Sequence, residues 1–544
     1  MSKWMGSKEK AKRARAHNAL ANPDSNRRMT RKVAVASADL ELKIEGKLIR
    51  QGDADYHVHR QVNSSWDFEH FPLLIAYCET FADVKACIKC ARDNDIPVAV
   101  RASGHNTAGF SVNDGLVIDM SKMVYLLVDE PDRASALVSG GVRSGHLNTA
   151  IELYDRHAVG GGCRSVRVAG FTQGGGYGYT SRIYGLGCDQ VLEATVMLAD
   201  GGIAVASPRS NPDLYWALRG GSGGNFGVLL HVKYALHNPA RMCGFRVWWK
   251  LGTAGDNDKA ARVLDHMQAK HMRSDTRARK LGYQEFIAWQ KIDDNRLNLD
   301  GWYLLIRGMY EGTQTDLEAV FLGEIRKFAP PTAELFRPDS TYREVDHFTH
   351  EDPAVPQVDD AAREDKQSLY IDQTVGVAGW KEIIERFITD NPNSGNLLGI
   401  EPYGGAIEAH DQTATAFIHR KADMDLYVDV FWMEQAKRAE AARWLTDFMR
   451  FLEDRKWTSG HSYQNYMREA LSDYRHRYWG DSFFSLRAVK RKYDKKDFFW
   501  HPQGILASKD HPVYDDPPPG KLHPKVYDHL RPWLGEDIKY LVNP

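Results

Sequence analysis

Three glycine-rich loops within about 130 residues constrain this chain more than any other feature of its sequence. They read RASGHNTAGF from residue 101, VGGGCRSVRVAGFTQGGGYG from residue 159 and RGGSGGNFGVLL from residue 219, and apolar, strand-like runs adjoin them. Glycine lets a backbone pass close to a flat or phosphorylated ligand and adopt dihedral angles that other residues resist. The first two loops lack both the Gly-Lys-Ser/Thr of a P-loop and the spacing of a dinucleotide fingerprint. The loops therefore predict one long ligand of another kind, lying across several strand ends.

Two of the loops contain a side chain that can act as a nucleophile. His105 lies in the first loop and Cys163 in the second. Taken singly, each has a plain structural interpretation, in which His105 hydrogen-bonds the backbone and Cys163 fills a gap. Taken together with the third loop, the pair favours a reactive role.

Composition and charge narrow the class of protein. The 544 residues are 43% hydrophobic with a net charge of −1, which argues against a general polyanion binder and predicts no nucleic-acid partner. Six cysteines are too few for a disulfide framework at this length. Residues 1–32 carry ten Lys/Arg and two acids but no apolar signal segment, and no run is long enough to span a membrane. We therefore expect a cytoplasmic protein without a membrane partner, in which residues 1–32 form a solvated or packing arm, a transit peptide or a nucleic-acid arm.

The order of predicted elements indicates an α+β fold. Residues 80–93 are typical of a capped helix, Leu116–Met120 of a buried strand, and the segment from Val191 to Ala206 of a hairpin. From Cys243 onward, strands with alternating faces are separated by charged helical stretches, which predicts a large antiparallel sheet with helices on one side. The charged stretch 356–367 has the composition of a surface loop.

These motifs closely resemble the berberine bridge enzyme-like flavoproteins of the vanillyl-alcohol oxidase/p-cresol methylhydroxylase superfamily. The resemblance covers residues 66–240 and resumes in the segment YQNY…RYWGDSFFSLRAVKRKYDKKDFF…PQGI near the C-terminus. It implies a two-domain α+β flavoprotein with an FAD-binding domain and a substrate domain built on a large antiparallel sheet. The domains it implies are a basic N-terminal extension (1–50), the FAD-binding domain (51–240), the substrate-binding domain (241–455), a C-terminal segment returning to the FAD domain (456–510) and a tail (511–544).

The resemblance implies FAD attached by two covalent bonds, through His105 to the flavin 8α carbon and through Cys163 to flavin C6. Imidazole and thiolate are both suitable nucleophiles for such bonds. No metal is expected. The further cofactor-binding residues that the resemblance implies are Arg101, Ser103, Gly104, Asn106, Gly140, Gly141, Val166, Gly174, Gly175, Gly176, Tyr177, Gly227, Val228 and Asn465.

The chain departs from the family pattern at two positions beside the predicted flavin. Thr107 stands where a tyrosine is common, and Phe171 stands where many members carry a histidine that supports the flavin. Val166 occupies the position where oxygen-reactive members tend to carry a small residue, which favours an oxidase.

Four residues are predicted to carry catalysis. Hydride transfer from an alcohol carbon requires removal of the hydroxyl proton, and Tyr466 resembles the proton acceptor of carbohydrate-oxidising members. Tyr463 faces the substrate in the same motif. A tyrosine needs a nearby acceptor or cation to act near neutral pH, and Glu401 and Asp429 are the candidate helpers. For each of these residues the alternative is an ordinary packed aromatic or ion-paired carboxylate.

The sequence therefore predicts an FAD-linked oxidase. It would take a hydride from an alcohol carbon of a sugar or natural product and pass two electrons to oxygen, forming hydrogen peroxide. Two alternatives are a flavin dehydrogenase with another electron acceptor and a non-oxidative cyclase or flavin-binding protein. The expected partners are a small-molecule substrate and molecular oxygen, and the sequence does not predict an oligomeric state.

Overall fold

The strands of this protein form three sheets. The structure, a computed structural model, describes residues 31–62, 70–272, 278–293, 296–350 and 363–507. The strands are β1 (Leu48–Arg50), β2 (Leu74–Tyr77), β3 (Val98–Arg101), β4 (Leu116–Asp119), β5 (Leu126–Val128), β6 (Ser135–Ser139), β7 (Val191–Met197), β8 (Ile203–Ala206), β9 (Val228–Ala235), β10 (Met242–Lys250), β11 (Leu281–Asp293), β12 (Asn298–Glu311), β13 (Ala333–Ser340), β14 (Arg363–Ile371), β15 (Leu397–Pro402) and β16 (Met424–Trp432).

Helices connect and cover these sheets. They are α1 (Arg31–Glu41), α2 (Tyr56–His59), α3 (Phe81–Asp93), α4 (Ser144–Glu152), α5 (Val168–Gln173), α6 (Ser181–Tyr184), α7 (Pro212–Leu218), α8 (Ala254–Met267), α9 (Gln314–Leu317), α10 (Gly323–Phe328), α11 (Tyr342–His350), α12 (Gly376–Asp390), α13 (Ala406–Ala409), α14 (Arg438–Asp454), α15 (Tyr474–Trp479) and α16 (Ser482–Tyr493). None of the helices in the described ranges combines the length and hydropathy needed to cross a membrane.

The first sheet has the order β1-β2-β4-β3, in which β2, β4 and β3 are parallel and β1 is antiparallel to β2. All four residues of β4 are buried, as expected of a strand covered on both faces. Helix α3 begins with a capping box between Thr80 and Asp83, as the sequence predicts. Cys87 and Cys90 lie on this helix, Cys87 buried and Cys90 half-buried.

The second sheet is antiparallel, with the order β5-β6-β9-β7-β8. Strands β7 and β8 form the predicted hairpin. Helix α7 begins at Pro212, where the missing N–H of proline costs no helical hydrogen bond. Helices α15 and α16 of the C-terminal segment pack onto this half of the molecule, with Tyr478 and Leu486 in one core cluster with Leu214 and Trp216.

The third sheet is antiparallel and seven-stranded, with the order β13-β10-β12-β11-β15-β16-β14. Side chains alternate between its two faces. On one face, Val247, Ile306 and Val428 belong to a large apolar core that also contains residues of helices α8, α12 and α14. The opposite face carries Trp248, Phe286, Tyr427 and several polar side chains, and it faces the glycine-rich loops across a cavity.

Two sequence expectations at the edges of these sheets need comment. The stretch 356–367 was expected to be a surface loop, but its part from Arg363 onward is strand β14, hydrogen-bonded to β16. The prediction was wrong because half of the charged residues of β14 face a polar cavity and not solvent. Residues 1–30 and 511–544 lie outside the described ranges, whereas β1, at residues 48–50, belongs to the first sheet.

Candidate active site

A cavity of about 550 Å³ separates the glycine-rich loops from the third sheet. One wall comes from the loops at 102–107 and 161–167, and the opposite wall from β11, β12, β14, β15 and β16. The segment 463–467 closes one side. The loops and the sheet therefore face each other across this space, and a molecule that filled it would contact both.

His105 and Cys163 lie on the same wall, joined by one hydroxyl group. The Oγ of Ser165 is 2.8 Å from Nε2 of His105 and 3.3 Å from Sγ of Cys163. The Cys163 thiol is exposed. The turn of the second loop brings Cys163 back towards the first loop across Ser165, so two nucleophiles 58 positions apart face one space.

The imidazole of His105 is held in its neutral form. Burial, and secondarily the positive charges of Lys366, Arg143 and Arg167, lower the pKa of His105 to about 4. A neutral imidazole keeps one nitrogen lone pair free for bond formation, whereas imidazolium has none. The electrostatics of this wall therefore favour a nucleophilic histidine at neutral pH.

The loop after Cys163 is fixed by contacts that exclude larger side chains. A Cβ built on Gly174 would lie 1.9 Å from Oδ1 of Asn465. Gly175 and Gly176 have φ angles of 114° and 90°, which favour glycine. The N–H groups of Gly176 and Tyr177 donate to Oη of Tyr463 at 2.9 and 3.2 Å.

Tyr463 therefore positions the loop. Its Oη also accepts a hydrogen bond from Nδ2 of Asn465 at 2.9 Å, so three donors converge on this oxygen. An oxygen so engaged is poorly suited to take another proton, although the residue was predicted to be catalytic. Asn465 additionally donates to the carbonyl of Phe171 at 3.2 Å, which links the closing segment to helix α5.

Tyr466 and Glu401 form a hydrogen-bonded pair on the opposite wall. Oη of Tyr466 donates to Oε1 of Glu401 at 3.0 Å, and Nε2 of Gln284 donates to the same oxygen at 2.9 Å. Oε2 of Glu401 is buried and accepts no hydrogen bond from the described part of the chain. Burial raises the pKa of Glu401 to about 7, against the opposing charge of Lys366 and these two hydrogen bonds. Glu401 can thus change protonation state near neutral pH.

Lys366 supports this pair from the neighbouring strands. Its Nζ is 2.9 Å from Oδ1 of Asp429, its cross-strand partner on β16, and 4.1 Å from the ring centroid of Tyr466. Burial alone would lower the pKa of Lys366, but the carboxylate of Asp429 raises it above its usual value. The site thus holds a cation over the face of Tyr466. Asp429 keeps this cation charged and is not hydrogen-bonded to Tyr466.

The predicted cofactor residues fall into two groups. One group lines the cavity: Ser103, Gly104, His105, Asn106, Cys163, Val166, Tyr177 and Asn465. The other lies behind the wall: Arg101, Gly140, Gly141, Gly174, Gly175, Gly176, Gly227 and Val228. In that group, Arg101 is buried and paired with Asp119 at 2.5 Å, and a Cβ on Gly141 would meet the carbonyl of Met120 at 2.2 Å. These residues shape the loops, and they do not line the cavity.

Comparison with known proteins agrees with this arrangement. Residues 72–207 match the FAD binding domain family, and residues 462–506 match the family described as berberine and berberine like. The FAD-linked oxidoreductase YgaK of Bacillus subtilis is 25% identical over 475 residues, which span 85% of this chain and 97% of that protein. The carbohydrate oxidase of Microdochium nivale is 24% identical over 465 residues, 81% of this chain and 89% of that protein.

A solved structure shares the fold. BBE-like 1 of Physcomitrella patens superposes with a TM-score of 0.74 at 23% identity, covering 87% of this chain and 99% of that chain. The chain is an FAD-dependent oxidoreductase with an FAD-binding domain and a berberine-like segment. The α+β fold with a large antiparallel sheet, predicted from the sequence, is confirmed.

The residues of this oxidoreductase fit FAD. A dinucleotide needs a long cavity, and the loops that line it present small residues and backbone atoms. Cys163 offers an exposed thiol, and His105 is a neutral imidazole 2.8 Å from its positioning hydroxyl. Thr107, at the first departure from the family pattern, donates to the carbonyl of Met467 at 3.2 Å. Phe171 packs against Gly161 and Gly187, so both departures are accommodated by local packing.

Several residues of this site escaped the sequence prediction. They are Ser165, Gln284, Arg307, His350 and Lys366. Lys366 lies in the stretch expected to be a loop, and its signal was the apolar run SLYI that follows it on the same strand. Arg307 is a single charged residue within the apolar middle of its strand, and this interruption is the cue that the sequence offers for it, whereas Gln284 stands beside Glu285 and has no such signal.

Proposed function

We propose that this flavoprotein is an oxidase that removes a hydride from an alcohol carbon of a sugar or natural product. Two reactive side chains on one wall and a proton-accepting pair on the other support this proposal. The observation that carries it is the Tyr466–Glu401 hydrogen bond across the cavity from His105 and Cys163. An alcohol placed between the walls would have its hydroxyl beside a base.

We assign the cofactor to bicovalent FAD, held by Nδ1 of His105 and Sγ of Cys163. Ser165 engages Nε2 of His105, so the bond to the flavin would form at Nδ1, on the other side of the ring. Ser103, Gly104 and Asn106 line the same wall and are suited to the phosphates and ribityl chain through backbone and amide donors. When bound, FAD supplies the hydride acceptor, and the remaining chemistry is the work of the protein.

Tyr466 and Glu401 act together as a proton relay. Burial and the charge of Glu401 raise the pKa of Tyr466 well above its usual value, so the phenol stays protonated between turnovers. Tyr466 takes the substrate hydroxyl proton as it passes its own proton to Oε1 of Glu401. The carboxylate, with its pKa near 7, is matched to this task at neutral pH. Lys366, over the ring of Tyr466, stabilises negative charge that develops on the phenol oxygen.

Two further features support the details of the proposal. Val166 lines the cavity and is small, which favours access of oxygen and release of hydrogen peroxide. The Microdochium nivale relative is named a carbohydrate oxidase, and carbohydrates are therefore our first substrate class.

The test has two stages. Acid precipitation of the purified protein should leave a yellow pellet, and intact-mass analysis should show one FAD per chain. A panel of sugars and alcohols should then bleach the flavin under anaerobic conditions, and readmission of air should release stoichiometric peroxide. A colourless pellet would refute the attachment. Bleaching without peroxide would replace the oxidase with a dehydrogenase, and no bleaching by any alcohol would refute the reaction.

A further inference from the structure

One row of side chains crosses the cavity face of the third sheet and separates positive from negative charge. Strand register places Arg246 opposite Arg307, Arg307 opposite Gln284, and Glu401 opposite Asp425. The hydrogen bond from Gln284 to Glu401 joins the two parts of the row. Cations therefore stand at one end, carboxyl groups at the other, and Gln284 lies between them.

Arg307 is the cation of this row that reaches the cavity. It lines the cavity while only 6% of its surface is exposed. Nη1 donates to the carbonyl of Thr349 at 2.9 Å, and the guanidinium lies 4.6 Å from the centroid of the Phe286 ring. Its Nε is buried, and no described residue offers it a hydrogen bond.

Arg307 has a buried guanidinium that reaches the cavity without an acidic partner. In the part of the chain that the structure describes, no carboxylate lies within 4 Å of it, whereas Arg101 is paired with Asp119, Arg420 with Asp189, and Arg468 with Asp365. Among the described residues, Arg182 is likewise buried without a carboxylate within 4 Å, but it does not line the cavity. A buried charge without a counterion is costly, so an anion bound in the cavity would stabilise Arg307.

The charged groups nearest Arg307 on the sheet side of the cavity do not compete for that anion, and Arg167 lies on the opposite, loop wall, where it donates to the carbonyl of Gly141. Lys366 is already neutralised by Asp429 at 2.9 Å. His350, which also lines the cavity, has its Nδ1 held 3.0 Å from Asp346. Glu401 would repel an anion from the far end of the row. An anionic ligand is therefore drawn to Arg307 and kept away from the base.

We propose that Arg307 forms an anion-binding subsite of the substrate pocket, so that the preferred alcohol carries a carboxylate. This rests on the proposed function, since it assigns the reacting hydroxyl to the Tyr466–Glu401 end. Arg307 and Glu401 are two strands apart on one row, which places their backbones about 10 Å from each other. A hexuronic acid carries its carboxylate on C5 and its anomeric hydroxyl on C1, the two carbons that flank the ring oxygen, so it can present one group to each end of the row.

The test measures binding, independently of turnover. Isothermal titration calorimetry of the flavin-loaded protein would compare three carboxylates with their amides: acetate with acetamide, benzoate with benzamide, and D-glucuronate with D-glucuronamide. In at least one pair the carboxylate should bind about tenfold tighter or more, as a charge-assisted bidentate contact provides. No preference in any pair, or no detectable binding at all, would overturn the proposal.

Variants decide whether Arg307 causes the preference. Arg307→Met should reduce it to about twofold or less, and Arg307→Lys should keep part of it, because charge remains but the bidentate fork is lost. Arg246→Met removes a charge of the same row that does not line the cavity, and it should preserve the preference. An undiminished preference in Arg307→Met, or in Arg307→Lys if the first variant does not fold, would overturn the assignment.

Turnover then separates this inference from the proposed function. With D-glucose and D-glucuronate as substrates, a higher kcat/KM for the acid supports both. Oxidation of the neutral sugar with no advantage for the acid would sink the subsite and leave the oxidase intact. Carboxylate binding without oxidation of any alcohol would support the subsite and refute the proposed oxidase function.

Discussion

The two walls of the cavity are built on different principles. The loop wall consists of glycines and backbone groups held in tight register, with Cys163 and His105 as its reactive side chains. The sheet wall consists of long side chains whose positions follow from strand pairing, among them Lys366, Gln284 and Glu401. The loop wall can be recognised from contiguous residues, whereas the sheet wall depends on the pairing of strands that are far apart in the sequence.

The difference between the two walls suits them to different functions, cofactor binding by the loops and substrate contact by the sheet. A loop wall made of backbone and small residues can hold a cofactor that many relatives share, because every contact is local to a motif. A sheet wall can exchange single side chains on fixed strands without disturbing the core on its other face. Cofactor attachment should therefore be sensitive to the loops, and proton transfer and substrate choice to the sheet.

Removal of both tethers is the most severe way to break the loop wall. The double variant His105→Ala/Cys163→Ala should lose all covalent flavin, since no other described side chain takes the place of either nucleophile. Each single variant should keep colour in the acid-precipitated protein through the remaining bond. Spectra and intact mass measure this directly, and a covalent adduct in the double variant would contradict the assignment.

Loss of the relay on the sheet wall should leave the flavin attached. Tyr466→Phe removes the hydroxyl that bridges substrate and Glu401, and kcat should fall by about 10² to 10⁴, as for other general bases. Stopped-flow reduction of the flavin is the measurement. The matched control is Tyr427→Phe, whose ring lies 5.2 Å from that of Tyr466 on the same wall. Equal losses in the two variants would show that packing, not proton transfer, is affected.

The pH profile tests the second member of the relay. With its pKa at about 7, Glu401 must be ionised to accept the proton, so the rate of flavin reduction should fall about tenfold per pH unit below 7. In Glu401→Gln this limb should disappear and the remaining rate should be low at all pH values. A limb that persists in the variant would assign it to another group.

The raised pKa of Glu401 affects stability and rate in opposite directions, because the folded protein becomes less stable as pH rises while flavin reduction becomes faster. The folded-state pKa of Glu401 is raised from 4.5 to about 7, so the folded protein binds a proton that the unfolded chain releases between these values. Stability contributed by this group is present below pH 4.5 and lost as pH rises through 7, by about 3 kcal/mol. Relative to Glu401→Gln, wild type should lose about 2 to 3 kcal/mol between pH 5 and pH 8. Denaturant titrations at several pH values measure the difference, and parallel curves for the two proteins would contradict it.

The smallest expected effect concerns the loop backbone alone. Gly174→Ala places a methyl group 1.9 Å from Oδ1 of Asn465, so the closing segment must shift. We expect a loss of about 1 to 3 kcal/mol in stability, as for other overpacked sites. Gly255→Ala, where no atom lies within 4 Å, is the control and should be neutral or slightly stabilising. Thermal unfolding compares the two, and an unchanged midpoint for Gly174→Ala would contradict the close approach.

The structure could be predicted best where it depends on the residues of one short segment. The α+β fold, the helix capped at Thr80 and the strands β4, β7 and β8 follow from local patterns and are confirmed. The prediction was wrong at β14, where a charged stretch was expected to be a surface loop. It also treated Tyr466, Glu401 and Asp429 as one group, whereas the structure hydrogen-bonds the first two and pairs the third with Lys366.

The sequence by itself determined the family, the flavin domain and the two predicted tethers, because glycine spacing and a lone histidine or cysteine are properties of contiguous residues. Only the tertiary structure decided that Ser165 lies between the tethers, that Lys366 lies over Tyr466 and that Arg307 has no carboxylate neighbour among the described residues. The first relation depends on how two loops fold together, and the other two depend on the register of strands far apart in the chain. A one-residue slip of β14 or β12 would turn Lys366 or Arg307 to the opposite face, and no local pattern records that register.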